Sequence, residues 1–112
     1  MERNPNYAVY KKMASDISVI AKNYFIAIRR QNFIQEPELK ENKEEEDDFQ
    51  RHIRRVKNAY NQLDELEKAF INNDFFYQSY PDWWKETFSK TSYYRLRRQS
   101  MSRFIKAFEN EE

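Results

Sequence analysis

The chain has 112 residues, enough for one compact domain, and contains no cysteine, no glycine and only 3 prolines. Without cysteine there is no disulfide framework, no thiolate metal site and no cysteine nucleophile. Without glycine, tight hairpins and Gly-rich phosphate loops are disfavoured, so helices joined by Asn-, Asp- and Pro-containing turns are expected. The net charge of +1 conceals an asymmetry. Residues 36–48 carry a balance of −6 and residues 85–106 a balance of +6. Segregation of this kind fits a C-terminal part that meets a polyanion, although a solvated charged helix face would read the same way.

The N-terminus lacks an apolar run, so no signal peptide is visible, and no stretch approaches the ~18 apolar residues of a membrane span. A cytoplasmic bacterial protein with no membrane association is expected. Asn4 and Pro5 read as the N-cap and first position of a helix filling residues 1–34. Tyr10, Met13, Ile17, Ile20, Tyr24 and Ile28 recur at steps of three and four and define its face. Val9, Ala21, Phe25 and Ala27 widen that face enough for a second copy, so a homodimer through this helix is expected. The helix should fade after Arg30, before Pro37.

Residues 35–46 read as an acidic linker, and its end favours a helix start because acids suit the positive end of a helix dipole. Residues 47–112 form the second helical unit of what is otherwise one domain. Phe49, Ile53, Val56, Tyr60 and Leu63 make its first stripe. Asp64 with Glu67 has the form of a capping box, opening a helix with Leu66, Phe70 and Ile71 inward. Asn72-Asn73-Asp74 should loosen or end it. Pro81 then opens a short helix from Asp82 to Phe88 carrying Trp83 and Trp84. Ser89 caps a long final helix to about Glu109, with Tyr93, Leu96, Ser100, Met101, Phe104 and Phe108 as its inner face.

A short helix, a capped turn and a basic helix make a helix-turn-helix, here spanning about residues 64–109. The pattern of Ala59-Tyr60, Leu63, Phe70-Ile71, then Ser89, Tyr93, Leu96, Ser100-Met101 and Phe104 resembles region 4 of bacterial sigma factors. It is closer to the small ArpU-type phage transcriptional regulators, whose recognition helix opens with a similar capped Ser followed by Tyr-Tyr-Arg. Short uncharacterised mollicute proteins are similar at the Trp-Trp and Tyr-Tyr-Arg elements. Trp83 and Trp84 stand where the family has smaller residues, and Ser100 where it commonly has Ala. The resemblance implies an all-α fold of four to five helices with a C-terminal sigma-region-4-like helix-turn-helix. It also implies transcriptional regulation by binding double-stranded DNA in the major groove.

On that reading Lys90, Thr91, Ser92, Tyr94, Arg95 and Arg98 meet the groove, while Lys85, Arg97, Arg103 and Lys106 contact phosphates. The alternative is a helical protein-interaction module that docks on RNA polymerase and does not itself bind DNA. No catalytic, metal or cofactor constellation is present, so no enzyme is expected. His52 has no second His, Ser or Cys in a motif and reads as structural. The acids at 44–48 lack the spacing and the glycine of a calcium loop. They read as a helix start, or as a shield for the basic helix. Of the two tryptophans, adjacent on a helix and so about 100° apart, one is expected to anchor the short helix and the other to be half-buried.

Overall fold

The computed structural model describes residues 7–33, 46–78 and 80–111. The proposed Asn4-Pro5 start, and all but the last residue of the acidic linker, lie outside the described residues. The described residues form four α-helices and no strand. They are α1 (Tyr7–Phe33), α2 (Asp48–Asn61), α3 (Glu65–Ile71) and α4 (Lys90–Asn110). The all-α expectation is met, and α1 runs three residues past the expected end at Arg30.

Each helix after α1 begins at a side-chain cap. Asp47 accepts from the Gln50 amide at 2.7 Å while Gln50 returns a bond to the Asp47 amide at 3.1 Å. Asp64 and Glu67 do the same for α3, at 2.8 and 3.0 Å. Ser89 accepts from the Ser92 amide at 3.1 Å and opens α4. These bonds satisfy amide donors that a helix start leaves orphaned. Helix ends meet the lack of glycine differently. No described residue has a positive φ. α2 instead tightens at Gln62, whose amide donates to Ala59 at 3.2 Å, and at Leu63, whose amide donates to Tyr60 at 3.1 Å. Both are i→i−3 bonds, the 3₁₀ closure available to any residue.

α1 packs along α2 and touches α4, and α3 packs on α4. One core joins them. Ile17 of α1, Val56 and Ala59 of α2, Leu63, Ile71, Phe75, and Met101, Phe104 and Ala107 of α4 form it. Phe49, expected on the inner stripe of α2, is exposed instead, with the Arg30 guanidinium 4.9 Å from its ring.

Two further expectations are corrected. Leu66 is 41% exposed, and Glu67 is buried in its place at 2%. The cap explains the exchange. With Asp64 at the N-cap, the inner face runs Glu67, Phe70, Ile71, at steps of three and four. Leu66 falls about 40° beyond its Phe70 edge, on the solvent side. One oxygen of the buried Glu67 carboxylate accepts the Asp64 amide; the other has no hydrogen-bond partner among the described residues and faces the Arg103 Nε at 3.6 Å as an ion pair only.

The short helix from Asp82 to Phe88 does not form either. The segment is a run of turns, with i→i−3 bonds from Trp83 to Tyr80, Lys85 to Asp82 and Thr87 to Trp84, at 3.2, 3.1 and 3.0 Å. With three aromatics and one β-branched residue in seven, the segment is poor in helix propensity, and both its indoles pack on Tyr93 instead. Asn72-Asn73-Asp74 follows the end of α3 at Ile71, where the helix is expected to loosen or end. The chain widens there into a π-helical turn, Asn72–Phe76, closed by the Tyr77 amide on the Asn72 carbonyl at 2.7 Å.

Phe70→Ala should therefore cost about 3–5 kcal/mol, and Leu66→Ala well under 1 kcal/mol. Urea melts of the two variants check this; equal losses would restore the Leu66-inward register.

Candidate nucleic-acid interface

The start of α4 is fixed by one carboxylate. Asp74, in the π turn, accepts from the Trp83 indole at 2.9 Å, from the Tyr93 hydroxyl, and from the Arg97 Nε at 2.9 Å. Only 9% of its side chain meets solvent. Aromatic rings surround this cluster. Tyr93 stacks on Phe70 at 5.6 Å and, on its other side, Trp84 stacks on Tyr93 at 4.2 Å and 15°. Trp83 meets Phe70 edge-on at 5.0 Å. Burial, then the Asp74 bond, push the Tyr93 phenol well above its ordinary range. It therefore stays neutral and keeps donating.

Both tryptophans are half-buried and both meet Tyr93. The expected division into one anchor and one bystander assumed helical spacing. In a run of turns the 100° rule does not hold, and the two indoles close on one ring from different sides.

With Tyr93 and Arg97 turned inward, one turn apart, the rest of the first three turns divides clearly. Lys90, Thr91, Tyr94 and Arg95 are exposed, and Ser92 is half-buried beside the cap. Lys90 and Arg95 make no ion pair among the described residues. Of the expected DNA-facing set, these positions share the outer surface of the helix start. Arg98 departs from them, its guanidinium lying 5.4 Å from the Tyr10 ring of α1.

The expected phosphate contacts scatter. Arg97 is drawn inward, bonded to Asp74, 4.9 Å over the Phe75 ring and 3.5 Å from the Met101 sulfur. A guanidinium so occupied is a structural group, and its place among phosphate contacts is corrected. Lys85 pairs with Asp82 at 3.3 Å. Arg103 leans on Glu67 from a largely exposed position, and Lys106 is exposed one turn further on.

The far end of α4 is clasped by α2. Glu111 accepts from Asn58 and Gln62, both at 3.1 Å, and Arg55 donates to the Phe108 carbonyl at 3.0 Å while lying 4.1 Å over its ring. His52 sits between α1 and α4. Its Nε2 donates to the Ile20 carbonyl at 3.1 Å and its ring meets Phe108 edge-on at 5.7 Å. Among the acids, Glu46 is bound by Arg54 at 2.8 and 3.0 Å, which holds its carboxyl below the usual range. Asp47 and Asp48 serve the start of α2, as cap and first-turn acid.

Among the described residues, no three His, Asp or Glu side chains converge as metal ligands, and no helix is long and apolar enough to cross a membrane. Comparison with protein-family models, curated proteins and solved structures finds no match to the chain.

The Asp74 cluster escaped sequence reasoning because its members lie up to 23 residues apart. The one local signal was an acid among asparagines ahead of the aromatic run. Asp74→Ala should cost about 3–5 kcal/mol, since it strands a partly buried guanidinium and two donors. Pairing it with Arg97→Met should recover part of that loss in urea melts. A strictly additive double variant would mean that the pair is not coupled.

Proposed function

We propose that the protein binds double-stranded DNA through the first three turns of α4 and acts in transcriptional regulation. One observation carries the reading. Lys90, Thr91, Tyr94 and Arg95 stand exposed on one surface of a capped helix whose opposite face is locked into the core. A recognition helix needs this division between a buried face that fixes its angle and an outer face of long donors at its N-terminal end. The likeness to sigma region 4 and ArpU-type regulators supports the same assignment for the same positions. The turn segment from Pro81 to Thr87 takes the place of a regular positioning helix, and the stack of Trp84 on Tyr93 supplies the support that such a helix would give.

In this reading Arg95 and Lys90 pair with guanine edges or phosphates. Thr91 and Tyr94 reach phosphate or a thymine methyl. Arg103 and Lys106, further along, touch the backbone. Arg95→Ala should weaken binding to a selected site by about 1–3 kcal/mol and relax sequence preference. Lys106→Ala should weaken binding evenly across sequences and lower the salt slope by about 0.9. Gel-shift titrations at two salt concentrations against selected and random duplex measure both, with circular dichroism to confirm folding. Undiminished binding by Arg95→Ala would remove the proposed reading face.

A second reading, self-association through α1, is favoured by the outer side of that helix. Val19, Ile26 and Phe33 lie seven residues apart, and are 54%, 41% and 83% exposed. Apolar side chains at that interval form the seam of paired helices, and paired helix-turn-helix units read paired half-sites. Sedimentation equilibrium should find a dimer at high micromolar concentration, and Ile26→Lys should make it monomeric. A monomeric parent would overturn the reading.

A further inference from the structure

On the side of the molecule formed by α1, α2 and the π turn, a cavity of about 270 Å³ opens between Tyr24, Val56, Tyr60 and Phe76, with Lys57, Asn72 and Tyr77 at its polar margin. None of the proposed DNA-facing residues lines it. Its walls are mostly aromatic. Tyr24 and Phe76 meet edge-on at 5.8 Å, and the Tyr77 ring is in turn met edge-on by Phe25 at 5.5 Å.

The polar groups here are unevenly matched. Asn72 donates its amide hydrogen to the Tyr60 oxygen, and no described residue accepts the Tyr60 proton in turn. The hydroxyls of Tyr24 and Tyr77 have no hydrogen-bond partner among the described residues, and Lys57 has no ion pair among them. Burial and the neighbouring Tyr77 hydroxyl raise the Tyr24 phenol above its ordinary range, so it remains a donor. The lining contains no carboxylate. An ammonium and three phenols thus border an apolar slot whose lining carries no anion, Lys57 and Tyr77 from its exposed rim and Tyr24 and Tyr60 from half-buried positions. Aromatic walls with a few convergent polar groups are the usual build of a small-molecule site.

The floor is unusual as well. Asn72, Phe76 and Tyr77 belong to the π turn or to the residue that closes it. A π turn replaces i→i−4 bonds with wider i→i−5 ones, a departure found chiefly where a helix has to shape a site. Here the widened turn brings Asn72 and Phe76 to the same opening.

We propose that this cavity binds a small aromatic carboxylate, its ring between Tyr24, Tyr60 and Phe76 and its carboxylate toward Lys57 and the tyrosine hydroxyls. A charged hydrogen bond to an ammonium is stronger than one between neutral groups, so the acid is preferred to its amide. The site is independent of the DNA-binding reading, and either can fail without the other.

The test uses the full chain, 2-naphthoate and 2-naphthamide, followed by amide chemical shifts in heteronuclear NMR. Naphthoate should shift the amides of Lys57, Tyr60, Asn72 and Tyr77 saturably, and bind about tenfold tighter than the amide. Lys57→Gln, at an exposed position that leaves the core untouched, should abolish that preference, and Lys57→Arg should restore most of it. Tyr24→Phe should weaken naphthoate several-fold. The proposal is overturned if naphthoate shifts none of these amides. It is equally overturned if the shifts fall on the Trp84–Tyr94 surface, or if acid and amide bind alike in the parent, which would make the cavity only an apolar sink.

Discussion

Asp74 holds three donors from two separate parts of the chain. A carboxylate taken nearly out of water is tolerated only when its lone pairs are filled, and Trp83, Tyr93 and Arg97 fill them. The position of α4 follows from that requirement. Tyr93 and Arg97 are one helical turn apart, so both can face Asp74 only if α4 takes a single rotation about its axis. The same rotation sends Ser100, Met101 and Phe104 into the core and leaves Tyr94 and Arg95 outside. The outer face of the helix is thus chosen by what its inner face must bond.

The two ends of α4 are held by different physics. At the start, rings stack around Tyr93 and hydrogen bonds converge on Asp74. At the finish, α2 supplies amides to Glu111 and a guanidinium over Phe108. Between them lies ordinary apolar packing on Ile17, Val56 and Leu63. A helix fastened at both ends and along one side has little freedom to reorient. Rigid support of that kind lets an exposed row of side chains meet a partner without a further ordering cost.

Much of this fold is legible in the residues. The inner face of α4, the Ser89 cap and the Asp64–Glu67 box all follow from periodicity and capping chemistry. The acids at 44–48 mark the start of α2, and the Asp47–Gln50 box, three residues apart like Asp64 and Glu67, places it. Leu66 was misplaced by ranking hydrophobicity above register. Once Glu67 is bound to the capping position, it occupies the inner face regardless of its charge. Pro81, a good first helical residue, predicts a helix over 82–88, but both indoles of that segment pack on one ring, Tyr93, and a run of turns forms instead. Asn72-Asn73-Asp74 marks where the helix loosens, but not that it widens into a π turn, because the Asp74 contacts are made by residues distant in sequence. The outward set Lys90, Thr91, Tyr94 and Arg95 was readable because it depends only on the cap and on 3.6 residues per turn. The inward turn of Arg97 was not, because it depends on Asp74.

Charge must be counted after folding rather than along the chain. The +6 of residues 85–106 includes Arg97, spent on Asp74, Lys85, spent on Asp82, and Arg103, leaning on Glu67. Arg98 lies against Tyr10. Glu46, at the end of the acidic stretch, is spent on Arg54. Of the α4 bases without an ion pair among the described residues, Lys90, Arg95 and Lys106 stand exposed, while Arg98 is half-buried. Roughly three phosphates neutralised by such groups give a salt slope near −3, shallow beside the 6–10 contacts of strongly electrostatic binders. Nonspecific attraction from this face is correspondingly small. If α4 selects among DNA sequences, most of the selectivity has to come from contacts at base edges. In the proposed reading those contacts fall to Lys90, Thr91, Tyr94 and Arg95, because the next position on that side, Arg98, lies against Tyr10 of α1.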